Sequence, residues 1–76
     1  MKIEVLGKIR ERKVGGLVFI ELKVKSNQPL LSVKDIPHEI YPFHSVPTSI
    51  TSIGKTKDDS EGLNYVSLIS FEADFS

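Results

Sequence analysis

Residues 5–22, VLGKIRERKVGGLVFIEL, decide the fold class, because two segments of β-strand character flank a Gly-Gly pair. Val5, Gly7 and Ile9 in the first segment, and Val18, Ile20 and Leu22 in the second, recur at every second position, which is the period of a strand with one buried face. Gly15 and Gly16 can supply the positive φ of a tight reversal at little steric cost. We therefore predict a long antiparallel hairpin. Its inward positions are Val5, Gly7 and Ile9 on the first strand and Val18, Ile20, Leu22 and Val24 on the second.

The outward positions of this hairpin combine cations with one aromatic ring. They are Lys8, Arg10 and Arg12 on the first strand and Leu17, Phe19, Glu21 and Lys23 on the second. The predicted nucleic-acid-binding residues among them are Lys8, Arg10, Arg12, Phe19 and Lys23. Single-stranded nucleic acid needs such a surface, because its bases stack on a ring while cations hold its phosphates. The alternative is a solvated face, whose cations discourage aggregation of strand edges, with Phe19 packed as core beneath the middle of the chain.

A chain of 76 residues is long enough for one small domain, spanning residues 1–76. Such a domain buries only about 60% of the surface its unfolded chain exposes, so functional contacts belong on its surface. The net charge of zero argues against strong non-specific binding to phosphates. Residues 1–34 nevertheless carry eight basic and three acidic side chains, and residues 35–76 carry two basic and seven acidic ones. This split predicts a basic face, unless the charges intermix in three dimensions.

The remainder of the chain predicts further short strands. A third strand is expected over 30–33, a fourth over 49–57 and a fifth over 63–75, with a single helical turn near 37–41 and a polar loop at 57–62. The apolar phase changes at Leu68-Ile69, which predicts a bulge or a sharp bend there. Five short strands favour an all-β fold, a small and strongly curved five-stranded β-barrel.

The opening hairpin resembles the first hairpin of OB-fold domains of the anticodon-binding type. The positions that carry the resemblance are Val5, Gly7, Ile9, Arg10, Arg12, Gly15, Gly16, Phe19, Ile20 and Leu22. The resemblance is best over residues 3–25 and looser over 46–75. It implies a nucleic-acid-binding scaffold in which a base stacks on the ring at Phe19. It carries over no synthetase activity, because the chain has no synthetase catalytic domain.

No other part of the sequence predicts chemistry at a site. His38 and His44 are an incomplete set of metal ligands, so we expect no metal. Asp58, Asp59 and Glu61 lack the alternating ligand pattern of an EF-hand and fit a solvated turn. The sequence has neither a phosphate-binding loop nor a nucleophile elbow. We therefore predict a non-catalytic protein with no cofactor.

A second function remains open, that of a protein-interaction module such as a small subunit or an inhibitor. Exposed strand edges could accept an added strand from a partner, and Ile69, Phe71 and Phe75 could dock there or pair in a homodimer. The chain has no cysteine and no apolar run of membrane-spanning length, and its first residues lack a signal-peptide pattern. We expect a cytoplasmic protein without a membrane partner.

Overall fold

The protein is all-β, with four antiparallel strands in one open sheet. The computed structural model describes residues 1–56 and 62–75. Its strands are β1 (Ile3–Val14), β2 (Leu17–Ser26), β3 (Val46–Lys55) and β4 (Tyr65–Asp74). They lie in the order β1-β2-β4-β3, so that β2 and β4 are central and β1 and β3 form the two edges. The far end of the predicted fourth strand and most of the polar loop lie outside the described residues.

The predicted hairpin is confirmed. β1 and β2 pair antiparallel from Ile3 opposite Ser26 to Val14 opposite Leu17. The two residues between the strands are the glycines, and Gly15 has a φ of 61°. A side chain is strained in this left-handed region, and two-residue hairpin turns require it because their twist must match that of the strands. The local sequence is therefore sufficient to set this reversal.

One face of the sheet, here called the covered face, forms the core. β2 and β4 both alternate strictly, and their buried residues on this face are Val18, Ile20, Leu22, Val24 and Ser26 on β2 and Ser67, Ile69, Phe71 and Ala73 on β4. The segment 27–45 packs over this face through Leu30 and Ile36, which are both buried. The ring of Tyr41 meets that of Phe71 edge-on, with centroids 5.5 Å apart. Aromatic pairs prefer this geometry.

The two edge strands each contain two irregularities of register, consistent with β-bulges. β1 advances by two residues where β2 advances by one, first at Leu6 and again at Ile9. β3 does the same against β4 at Thr48 and Thr51. Bulges bend a strand and discourage pairing with another chain. They also change which side chains face the core, so that Ile9 is 52% exposed.

The bulges overturn part of the predicted inward face of β1. Val5 still pairs with Val24 on the covered face but is exposed, and Ile9 is one of the bulge residues. Gly7 pairs with Lys23, which lies on the opposite face of β2. The prediction was wrong here because it assumed an unbroken two-residue period. The inward positions predicted on β2 are confirmed as buried.

The bulge or bend predicted at Leu68-Ile69 is not a bulge within β4; the shift of register at this step lies on the neighbouring strand β3, at Thr51. β4 pairs with β2 residue for residue from Tyr65 to Asp74 without a shift of register. Val66 and Leu68 are half-buried on the face opposite to Ile69, so both faces of β4 carry apolar residues at this end. Apolar side chains on two faces produce an apparent change of phase in an unbroken strand.

The predicted third strand does not form, so the described residues contain four strands rather than five. Val33–Asp35 is instead a 3-10 helix, and His38–Ile40 is a second one at the predicted helical turn. The Asp35 carboxylate accepts hydrogen bonds from the backbone N–H groups of Leu31 and Ser32, at 3.3 and 3.2 Å. Local bonds of this kind occupy backbone groups that a sheet ladder would use. Both helices have three residues, and among the described residues none has the length and apolarity needed to cross a membrane.

Candidate functional site

The second face of the sheet, here called the open face, contains most of the predicted site. Its β2 residues are Leu17, Phe19, Glu21, Lys23 and Lys25, all exposed or half-buried. Directly paired residues in antiparallel strands project from the same face. The register therefore adds five residues from β1, which are Glu4, Gly7, Arg10, Arg12 and Val14, and five from β4, which are Val66, Leu68, Ser70, Glu72 and Asp74.

Phe19 lies at the centre of the candidate site. It pairs with Arg12 on β1 and with Glu72 on β4, and it is 38% exposed. A groove of about 210 Å³ runs beside the ring. Its lining residues are Arg10, Arg12, Phe19, Ile20, Glu21, Thr48, Ser70 and Phe71. Phe19 is thus exposed beside a groove that both arginines line.

Arg10, Arg12 and Lys23 on the open face are available as well. Arg10 pairs with Glu21 across the ladder, yet neither Arg10 nor Arg12 has a carboxylate of any described residue within 4 Å. A guanidinium presents five donors in a planar fork that suits phosphate and carboxylate oxygens. Lys23 faces Gly7 and is exposed. It lies four residues from Phe19 on the same strand, or about 13 Å at the usual strand rise.

Lys8 is separated from the other four predicted residues. It pairs with Leu22 on the covered face, and its ammonium group lies 3.0 Å from the Glu11 carboxylate. Residues three apart in a regular strand would project to opposite faces. The bulge at Ile9 brings this pair to one face, because Leu22 and Ile20, their partners on β2, are two residues apart. The structure therefore brings together Arg10, Arg12, Phe19 and Lys23 but not Lys8.

The open face is mixed rather than uniformly basic. Arg10 and Arg12 lie on the edge strand β1, whereas Glu72 and Asp74 lie on β4. Glu21 lies between them in the groove and is half-buried. Near the hairpin end, the open face thus has a charge gradient, basic at β1 and acidic at β4. A phosphate would be attracted to the β1 side.

Five groove residues were not predicted as site residues from the sequence: Ile20, Glu21, Thr48, Ser70 and Phe71. The Thr48 hydroxyl donates to the Ser70 carbonyl at 3.2 Å, and Thr51 does the same to Leu68 at 3.0 Å. Residues 48–53 read TSITSI, a repeat of three in a strand whose natural period is two. This repeat was the available signal, since each threonine occupies a bulge and both isoleucines pair with covered-face residues.

Other candidate groups are more dispersed. His38 packs against Tyr41, with ring centroids 4.8 Å apart, while His44 is exposed in the following segment. Within residues 1–56 and 62–75, no three histidine or carboxylate side chains converge as metal ligands. The acidic residues Asp58, Asp59 and Glu61 fall outside the described residues. Phe43 and Phe75 form an exposed edge-on pair at the hairpin end of the covered face, with centroids 6.2 Å apart.

Comparisons of this chain with protein-family models, with curated proteins and with solved structures found no match. A functional hypothesis therefore depends on the geometry of the open face and on the sequence resemblance of residues 3–25. Both concern the same hairpin, and both focus on Phe19 and its neighbouring arginines.

Proposed function

We propose that the chain is a non-catalytic module that binds single-stranded nucleic acid on the open face of its first hairpin. Phe19 stacks against a base, Arg10 and Arg12 hold phosphates along β1, and Lys23 supplies a further cation. The observation that carries this proposal is the exposed Phe19 beside a groove lined by two arginines without a described acidic partner. Stacking of a base on an aromatic side chain contributes about 1–3 kcal/mol.

We further propose that the module is related to small OB-like barrels. The support is the resemblance of its first hairpin and the presence of two bulges in each edge strand, since small barrels use bulges to curve their strands. In the described residues the sheet is open, with β1 and β3 as its edges. The binding proposal depends on the open face and not on closure of a barrel.

Salt dependence of binding provides the first test. A fluorescein-labelled single strand of mixed sequence is titrated with the protein at several salt concentrations, with fluorescence anisotropy as the readout. Three cations that displace counterions predict a slope of about −2 for log K against log salt, at about −0.7 per contact. Arg12→Ala should weaken binding and reduce the slope by about 0.7 in magnitude.

Lys8→Ala is the matched control for Arg12→Ala, because it removes one positive charge from the same strand but from the covered face. It should leave both the affinity and the slope nearly unchanged. Equal effects of the two substitutions would mean that only net charge matters. This result would contradict the assignment of the binding site to the open face. Absence of any binding at low salt would overturn the proposed function.

Stacking is tested with Phe19→Ala, which should weaken binding by about tenfold or more at every salt concentration. Phe43→Ala is its control, since Phe43 is a more exposed phenylalanine that packs against Phe75 and does not line the groove. Circular dichroism confirms that both variants keep the sheet. A loss of affinity in both variants alike would show that the ring of Phe19 has no special part in binding.

The alternative function is a protein-interaction module that uses the strand edges. The observation in its favour is that β1 is an edge with Leu6, Ile9 and Val14 exposed. The bulges in both edges count against strand addition. Ile69 and Phe71 are buried and cannot serve as a docking tail. Light scattering distinguishes the two functions, because edge pairing predicts a dimer whose amount rises with protein concentration.

A further inference from the structure

We propose that the groove beside Phe19 prefers a guanine base, and that Glu21 is the residue that determines this preference. The inference rests on the proposed function and names the base of the nucleic acid that the open face would bind. Phosphate binding alone does not explain why the groove contains a carboxylate. Glu21 is half-buried within a groove that also contains Arg10 and Arg12.

The position of Glu21 relative to the ring defines what it can contact. Phe19 and Glu21 are two residues apart on the unbroken strand β2, so their side chains project from the same face about 7 Å apart. A base stacked on the ring extends beyond it and brings one edge toward the carboxylate. No described cation lies within 4 Å of Glu21, although Arg10 is its ladder partner. Its oxygens can therefore accept hydrogen bonds from a ligand.

A carboxylate only accepts hydrogen bonds, and this limits the bases that suit the groove. Guanine presents two adjacent donors, N1–H and the N2 amino group, which match the two carboxylate oxygens. Cytosine and adenine present one amino donor beside a ring acceptor. Thymine and uracil place carbonyl oxygens on both sides of their single N–H, so a carboxylate repels them. The expected order of affinity is guanine, then cytosine and adenine, then thymine.

The arginines complete the arrangement from the β1 side. Arg10 and Arg12 lie across the ladder from Glu21 and Phe19, and both line the groove. They can hold the phosphates that flank the stacked base, or the O6 and N7 acceptors of guanine itself. The gradient from basic β1 to acidic β4 thereby orients the nucleotide, with its phosphates toward the edge and its donor-bearing edge toward Glu21.

The test uses labelled DNA hexamers that carry one base among abasic nucleotides, so that every strand has the same phosphates and a single stackable base. We expect the guanine hexamer to bind about tenfold more tightly than the thymine hexamer, as for a bidentate contact. The entirely abasic strand should bind most weakly. Equal affinity for guanine and thymine would overturn the inference and leave the proposed function intact. Failure of every hexamer and of longer mixed strands to bind would overturn both.

Two carboxylate substitutions assign the preference to a residue. Glu21→Gln should reduce the guanine-to-thymine ratio to less than about twofold, because an amide offers only one acceptor oxygen at that position. Glu4→Gln removes the same charge from the same face, but Glu4 pairs with Lys25 at the far end of β1 and does not line the groove. It should keep the tenfold ratio. An equal loss of preference in both variants would overturn the assignment to Glu21.

A guanine base could arrive in a strand or as a free nucleotide, and one further titration separates these sources. Guanosine 5′-monophosphate competes with the guanine hexamer for the protein. We expect it to bind at least tenfold more weakly than the hexamer, because it offers one phosphate to the cations of β1 and β2. Affinity equal to that of the hexamer would overturn the strand as the source of the base.

Discussion

The central and edge strands of this sheet follow different rules. β2 and β4 pair with each other over ten residues without a shift. From Val18 on β2 and from Ser67 on β4, every second residue is buried on the covered face. β1 and β3 each contain two bulges, at residues three apart, and much of their length is exposed. The buried residues of the sheet lie on the central strands, whereas bulges interrupt the edge strands. The difference shows that a strand period of two is a property of the middle of this sheet only.

Deletion of a single residue should produce the largest contrast between the two kinds of strand. Removing Ser70 from β4 moves one half of that strand to the wrong face, which exposes either Ile69 or Phe71. We expect this variant to be unfolded. Removing Thr51 from β3 instead removes a bulge and leaves every other side chain on its present face. This variant should stay folded and lose about 1 kcal/mol, the value of one hydrogen bond.

Circular dichroism and urea unfolding measure both deletions. Equal unfolding midpoints for the two variants would contradict the distinction between central and edge strands. Size-exclusion chromatography of the Thr51 deletion adds a second readout. A flattened edge should associate more readily than the bulged one.

Truncation of apolar side chains should show the same contrast with a smaller effect. Phe71 is 1% exposed on β4, and Phe71→Ala should lower the free energy of unfolding by about 3–5 kcal/mol. Ile9→Ala at a β1 bulge should lower it by less than 1 kcal/mol, because that side chain is already half in water. Urea titrations give both values. If Ile9→Ala lowered the free energy of unfolding as much as Phe71→Ala, the core would have to extend to the edge strand β1.

Phe71→Leu keeps this prediction measurable if the alanine variant does not fold. A chain of this length has a total stability of about 4–11 kcal/mol, so the larger truncation removes much of it. The leucine variant should lose about 1–2 kcal/mol and still exceed the cost of Ile9→Ala.

The bulge threonines allow a finer test of the edge strands. Thr48→Val and Thr51→Val keep the shape of the side chain but remove hydroxyls that bond to β4 carbonyls at 3.2 and 3.0 Å. Both sites are exposed, so water can replace the lost donor. Each substitution should lower the free energy of unfolding by about 0.5–1 kcal/mol. Thr56→Val, beyond the end of β3, is not a suitable control because that residue has contacts of its own. Ser49→Ala is better, and it should change stability little.

The smallest expected effect concerns a buried hydroxyl on a central strand. Ser67 is fully buried on the covered face, and its Oγ has no hydrogen-bond partner among the described residues. A buried polar group without a partner is destabilising. Ser67→Ala should therefore leave stability unchanged or raise it by up to about 1 kcal/mol. Ser26→Ala is the control with the opposite sign, since the Ser26 hydroxyl donates to the Gln28 carbonyl at 2.6 Å.

The sequence predicted what depends on local chemistry. The Gly15-Gly16 reversal, the buried face of β2 and the helical turn before Tyr41 follow from residues close in the chain. The bulges of β1 were not visible, because an apolar residue such as Ile9 fits the two-residue period and gives no sign that it is an extra one. The third strand failed since Asp35 bonds its own neighbours, which periodicity does not report.

The candidate site was anticipated in the same partial way. Arg10, Arg12, Phe19 and Lys23 were predicted to share a face, and the register places them on one. Lys8 was assigned to that face by counting alternate residues, and a single bulge at Ile9 moved it to the other. Thr48 and Ser70 lie on β3 and β4, which are far from the hairpin in the sequence. Their presence in the groove therefore depends on strand pairing, which the pattern of a single strand does not encode.

The contact between Tyr41 and Phe71 gives the protein a built-in optical probe. The chain has no tryptophan and only two tyrosines, so tyrosine emission can be observed without energy transfer to an indole. Tyr41 belongs to the segment that covers the sheet, whereas Tyr65 begins β4 and lies near the Lys55 ammonium group. Replacing either tyrosine with phenylalanine would leave one emitter. Stopped-flow fluorescence could then time the docking of the covering segment separately from the assembly of the strands.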